Sequence, residues 1–174
     1  REGALKMSQV TRGSDPMESF AGVSFRHLAM LAQIKSSDEE VWKSLRKSNH
    51  ITGNPGKSIV NRLSKMRNWV ESEHFPEDAR INIQTEISEE VRRKITDGQA
   101  SFLRLLSDNL GNCEWLENSI TDVIRSSINT SEITGKEAFS GIYLALLGSD
   151  YGPRASSLIA EMEREDVLAV LSIV

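Results

Sequence analysis

The chain has 174 residues, 39% hydrophobic and 26% charged, and a net charge of −4 at pH 7. These proportions suit one domain or two small packed subdomains and exclude a disordered chain, and no apolar run approaches the roughly 18 residues a membrane span needs. A single cysteine, Cys113, excludes an internal disulfide and a multi-cysteine zinc site; it suits a reducing compartment, so a cytoplasmic location is expected. The chain opens on Arg1 with no basic-then-apolar leader, which reads as an excised fragment without a signal peptide. Residues 1–22 lack periodicity and are rich in Gly, Ser and Thr, so a linker or tail is expected there. The folded domain is expected over residues 23–174, with a subdomain break near residues 75–87.

Ser24 caps a first helix whose Phe25, Leu28, Leu31 and Ala32 face inward. Ser37 or Asp38 opens a second helix through Lys47, burying Val41, Trp42 and Leu45. Asn54-Pro55 predicts a third start, a cap residue followed by proline at the first helical position. That helix carries Ile59, Leu63, Met66 and Val70 on one stripe and runs to about Glu73. Residues 75–87 read as a connector rather than a strand, because Pro76 and acidic neighbours interrupt the pattern. Ser88 opens the longest predicted helix, with Glu89 and Glu90 in its first turn, a stripe of Val91, Ile95, Phe102, Leu106 and Leu110, and Gly111 as its end. Another helix spans about Glu114 to Ile128, with Leu116, Ile120, Val123 and Ile128 inward. Thr134-Gly135-Lys136-Glu137 is a capping box, followed by Ala138, Phe139, Ile142, Tyr143, Leu146 and Leu147 and stopped by Gly148. Gly152-Pro153 starts a helix burying Leu158, Ile159 and Met162, with Arg154 in its first turn, and a last short helix carries Val167, Leu168, Val170 and Leu171. About eight helices and no convincing strand make the chain all-α.

The net charge hides an asymmetry. From Val41 to Val70 there are seven basic residues, Lys43, Arg46, Lys47, Lys57, Arg62, Lys65 and Arg67, and no Asp or Glu. On the third helix, Lys57, Arg62 and Lys65 fall within one sector of about 140° at 100° per residue, away from the apolar stripe. Such a block fits contacts to phosphates; two solvated helix faces explain the same residues without a partner.

Catalytic patterns are largely missing. Gly53-Asn54-Pro55-Gly56-Lys57-Ser58 resembles the end of a phosphate-binding loop, but Ile51 stands where that pattern needs glycine, and helix initiation explains the segment. Lys6-Met7-Ser8 resembles the KMSKS loop of class I aminoacyl-tRNA synthetases, with Gln9-Val10 in place of Lys-Ser, and reads as coincidence or remnant. His27, His50 and His74 have no partner three or four residues away, so a metal site is not expected, and His27 reads as a surface or boundary residue. Cys113 reads as a packing residue, and Glu161, Glu163, Glu165 and Asp166 as an acidic surface patch. Trp42, Trp69 and Trp115 offer stacking faces for bases, yet all three adjoin apolar stripes and read first as core.

Two segments carry a family resemblance. Val23-Ser24-Phe25-Arg26-His27-Leu28 with Leu31-Ala32-Gln33-Ile34, and Phe139, Ile142-Tyr143, Leu146-Leu147-Gly148 with Gly152-Pro153-Arg154, resemble the C-terminal region of class I lysyl-tRNA synthetases. The resemblance implies an α-helix cage in two packed subdomains, similar to the C-terminal domain of glutamyl-tRNA synthetase, that grips the anticodon stem-loop of lysine tRNA. ATP and Mg would then belong to a catalytic domain upstream, leaving no cofactor in this piece, which is expected to be a monomer. Arg154, Tyr151, Lys57, Arg62, Lys65, Lys43 and Lys47 are the expected tRNA-binding residues. The competing reading is a helical protein–protein interaction module that works through its acidic C-terminal half.

Overall fold

A computed structural model describes residues 22–173, so the expectations for Lys6-Met7-Ser8 and the rest of the predicted linker lie outside the described residues. Nine α-helices and one short 3-10 turn make up the regular structure among the described residues, with no strand. They are α1 (Phe25–Ile34), α2 (Asp38–Lys47), α3 (Lys57–Glu71), the 3-10 turn (Glu77–Ala79), α4 (Glu89–Lys94), α5 (Asp97–Leu110), α6 (Glu117–Thr130), α7 (Gly135–Leu147), α8 (Ala155–Glu161) and α9 (Arg164–Ser172). None is long and apolar enough to cross a membrane.

Local chemistry sets most of the boundaries. Ser24, Ser37 and Ser88 each accept a backbone N–H from three residues on, relieving one of the four unpaired amides at a helix start. Thr134 and Glu137 form the reciprocal capping box of α7, whose end is Gly148 at φ +69°, a left-handed conformation that costs glycine little. The accepted bonds from Thr134 hold the Glu137 carboxyl below its usual range.

Four expected helices begin or break elsewhere, one of them α8, which starts at Ala155 rather than Pro153. The third starts at Lys57 rather than Pro55 and ends at Glu71, with Gly56 as its cap. Glycine is costly inside a helix by about 1 kcal/mol and takes the extended cap geometry freely, so the helix begins just beyond it. The long helix from Ser88 is two helices, because Thr96 and Gln99 form a second capping box that restarts the chain after Ile95. Gly98 sits there against the loop before α7; a Cβ in its place would stand 3.0 Å from Ile133 Cγ2. α6 begins at Glu117, leaving Leu116, expected inward, as a 44% exposed cap residue. Phe139 is likewise exposed, while Ile124, absent from the expected stripe, is buried.

α1 packs along α3, and α5 is the central helix of the C-terminal half, packed by α6, α7 and α9. α8 lies on α6 and also touches α1, so the two halves meet through α1 and α8. One apolar cluster runs through both halves, from Leu28, Leu45 and Leu63 to Phe102, Ile142 and Leu158. The connector between α3 and α4 follows the protein surface; its Phe75 is buried, and Gln84 donates its backbone N–H to the Leu146 carbonyl at 2.8 Å.

Candidate nucleic-acid interface

The basic segment divides by residue type. Its arginines turn toward acids and carbonyls of the fold. Arg67 bonds Asp38 at 2.6 Å and reaches the Ala32 and Lys35 carbonyls at the end of α1, where the helix dipole favours a cation. Arg46 pairs with Glu39, and half-buried Arg62 donates to the Val23 carbonyl at 3.4 Å. The lysines do the opposite. Lys43 and Lys47 on α2, and Lys57 and Lys65 on α3, are exposed and make no ion pair among the described residues. A guanidinium with a planar fork of donors serves fixed carbonyl geometry, whereas a lysine ammonium stays hydrated as a point charge.

Beside Arg62 and Lys65, a cleft of about 220 Å³ opens between α1 and α3, lined also by Phe25, Leu28, Met66 and Trp69. Phe25 was expected to face the core, but as the first residue of α1 it is 57% exposed. Its ring lies 5.5 Å from Trp69, which in turn meets Phe75 edge-on at 4.7 Å. Of the three tryptophans, Trp69 is therefore the one beside this cleft. Trp42 is buried, and Trp115 donates its indole N–H to the Met162 carbonyl at 3.1 Å under the Arg164 guanidinium.

The second group of expected residues sits between α7 and α8. Gly148 turns the chain out of α7, and Gly152 brings it back so closely that a Cβ would stand 2.7 Å from Leu147 Cδ1. The Tyr143 hydroxyl donates to the Pro153 carbonyl at 2.7 Å and fixes the return. Tyr151 is thereby left 53% exposed, and Arg154 becomes the cap of α8 rather than a first-turn residue, because its extended ψ of 118° delays the helix to buried Ala155. Its guanidinium pairs with Glu117 at 2.9 Å. No pattern in the sequence marks Glu117 as that partner.

Between the two groups lies the start of α1. Phe25 faces the cleft, whereas His27 sits on the side of Glu117 and Glu161, its ring stacked 5.2 Å from His50. The acidic patch also needs correction: Glu161 is largely buried, bonded by Ser44 Oγ at 2.5 Å and paired with Lys35 at 3.3 Å, because α8 lies against α1. Glu163, Glu165 and Asp166 remain at the surface. Burial pushes the Cys113 thiol above its ordinary range, which disfavours the reactive thiolate. Among the described residues no group of three or more His, Cys, Asp or Glu is arranged to hold a metal.

No protein-family model matches the chain. Over most of its length it is similar to part of an aminoacyl-tRNA synthetase. The particular relatives are curated archaeal lysine–tRNA ligases: that of Picrophilus torridus is 24% identical over 146 residues, covering 84% of this chain and 28% of the relative. The Pyrococcus horikoshii protein is 28% identical (88% and 30% covered), and the Methanopyrus kandleri protein 30% identical (83% and 28% covered). The chain thus spans about 30% of the length of the curated relatives it matches, and the resemblance read from its two end segments extends through the middle.

Proposed function

We propose that this chain is the anticodon-binding domain of a class I lysyl-tRNA synthetase, a helical cage like the C-terminal domain of glutamyl-tRNA synthetase. It acts as a cytoplasmic monomer that binds the anticodon stem-loop of lysine tRNA. Lysine activation, with its ATP and Mg, belongs to a catalytic region outside this chain, for which the greater length of the relatives leaves room.

The observation that carries this reading is the set of four exposed lysines, Lys43, Lys47, Lys57 and Lys65, which make no ion pair among the described residues, in an acid-free segment of an otherwise acidic chain. Structural need accounts for the arginines of the block; it does not account for these lysines. Unpaired RNA loops are gripped by such cations on the phosphates, with aromatic or guanidinium planes on splayed bases. Tyr151 and Arg154 present both kinds of group on one loop, and Arg62 and Lys65 border an aromatic cleft on the other side of α1.

Filter-binding titration of lysine tRNA over a range of salt tests this. Affinity should fall with a log–log slope of about −0.7 per single-strand phosphate contact, and replacing Lys57 and Lys65 together with glutamine should flatten the slope by about one to two units. An unchanged slope would return the lysines to a solvated face.

A further inference from the structure

Two carboxylates act on His27, and each already holds a cation. Glu161, on α8, pairs with Lys35 at 3.3 Å and accepts from Ser44 Oγ. Glu117, at the start of α6, pairs with Arg154 at 2.9 Å. Both carboxylates favour a proton on His27, while burial and the stacked His50 ring oppose one. The His27 Nε2 is buried and makes no hydrogen bond among the described residues, so none holds a proton there. On α3, which packs along α1, Lys65 borders the opposite, Phe25 side and Arg67 meets the far end of α1. Arg26 is the exposed neighbour of His27 on its own helix.

The two ion pairs differ in how readily they open. Lys35 and Glu161 are mostly buried, and the Lys35 ammonium also donates to the Glu161 carbonyl. The Arg154 side chain is 63% exposed, and an exposed pair is weak. RNA that takes the Arg154 guanidinium leaves Glu117 without its cation. That carboxylate then acts unopposed on the imidazole it already influences, and the charged form of His27 gains.

We propose that RNA binding at Arg154 is coupled to proton uptake by His27, with Glu117 as the anion the two cations share. This rests on the RNA-binding reading above and adds a pH dependence to it. One proton passes from solvent to the imidazole as the guanidinium leaves Glu117, and no covalent bond of RNA or protein changes. By reciprocity, a proton on His27 helps RNA to bind by the factor with which RNA helps the proton. Binding is therefore independent of pH while His27 is neutral in both states. It strengthens as pH falls through the range where the bound form is protonated, and levels off once the free chain is protonated too.

Gel-shift titrations of this chain with the anticodon stem-loop RNA of lysine tRNA, at about pH 8 and about pH 6, test the coupling. The parent should bind roughly three- to tenfold more tightly at the lower pH. His27→Gln should match the parent at the higher pH and change by less than about twofold between the two. Glu117→Gln should lose the response as well, because the shared anion is gone. His50→Gln should keep it. Titration calorimetry near neutral pH, in two buffers of different ionisation heat, should show net proton uptake by the parent and none by His27→Gln. Melting curves at both pH values establish that each variant is folded; should His27→Gln fail to fold, Glu117→Gln and the calorimetry of the parent decide. An RNA affinity of the parent that ignores pH overturns the proposal, as does a response that survives in His27→Gln or Glu117→Gln. A response lost only in His50→Gln also overturns it, since the proton would then sit on His50. In each of these cases the parent still binds RNA, so only the coupling fails. If the parent binds no RNA at either pH, the RNA-binding reading fails and the coupling with it.

Discussion

Arg154 Nη1 lies 2.9 Å from Glu117 Oε1, joining the cap of α8 to the first residue of α6. Both side chains reach solvent, so the pair itself contributes only about 0–1 kcal/mol. The carboxylate is also favoured where it stands, at a helix start with no side-chain cap. A pair this weak leaves Arg154 available to an RNA phosphate or base edge that competes with Glu117. Arg154→Ala should therefore weaken cognate tRNA binding by about 1–3 kcal/mol and hardly change the melting temperature. Glu117→Gln should instead strengthen binding, because it releases the guanidinium. If both variants weaken binding and lower the melting temperature alike, the pair is a brace between helices and not part of an RNA site.

His27 makes stability depend on pH in a defined direction. Burial holds its pKa below the ordinary 6.5; His50 adds to the shift, and Glu161 and Glu117 oppose it. Its Nε2 is buried with no hydrogen-bond partner among the described residues. The unfolded chain takes up a proton near pH 6.5 that the folded chain accepts only at lower pH. The stabilisation is therefore complete above 6.5 and is lost as pH falls from there toward the folded pKa. Melting temperature should drop between about pH 7.5 and 5.5, and His27→Gln should flatten that drop. An identical drop in the variant would assign it to other groups.

The tight return between α7 and α8 depends on Gly152. A methyl group there meets Leu147 and Tyr143 below 3.0 Å, so Gly152→Ala should cost about 1–3 kcal/mol by chemical denaturation. Tyr143→Phe, which removes only the bond to the Pro153 carbonyl, should cost about 0.5–1.5 kcal/mol. A Gly152→Ala variant as stable as the parent would show that the loop relaxes freely, and it would weaken the case that Tyr151 and Arg154 are held in place.

Lys35, Ser44 and Glu161 tie α1, α2 and α8 together. Lys35 Nζ donates to the Glu161 carbonyl at 2.7 Å as well as pairing with its carboxylate. Lys35→Met leaves a mostly buried carboxylate with one fewer partner and should destabilise by about 1–3 kcal/mol. Combining it with Glu161→Gln should cost less than the sum of the single changes, since the stranded charge is removed. Strict additivity in denaturant titrations would contradict the coupling.

The helix content was legible where polar punctuation and apolar period agree. Thr134 to Gly148 is the clearest case, with a capping box at one end and a left-handed glycine at the other. Where they conflict, the period misleads. The stripe through Val91, Ile95 and Phe102 hides the Thr96–Gln99 box that splits α4 from α5. Phe25 and Leu116 fit an inward period, yet each stands at a helix start and is exposed. In the candidate interface the basic block was visible as composition. Which of its cations are spent internally was not, because Arg67 answers to Asp38 and Arg62 to Val23 through tertiary packing alone.

The central claim is that this chain distinguishes lysine tRNA by its anticodon. The most direct measurement is a competition titration of the chain with lysine tRNA and the same tRNA carrying a substituted anticodon, at one fixed salt concentration. The account predicts weaker binding of the substituted tRNA, by about 1–3 kcal/mol per altered recognised base, with the difference shrinking in Arg154→Ala. Equal affinity for the two tRNAs, or no binding of either, would contradict it.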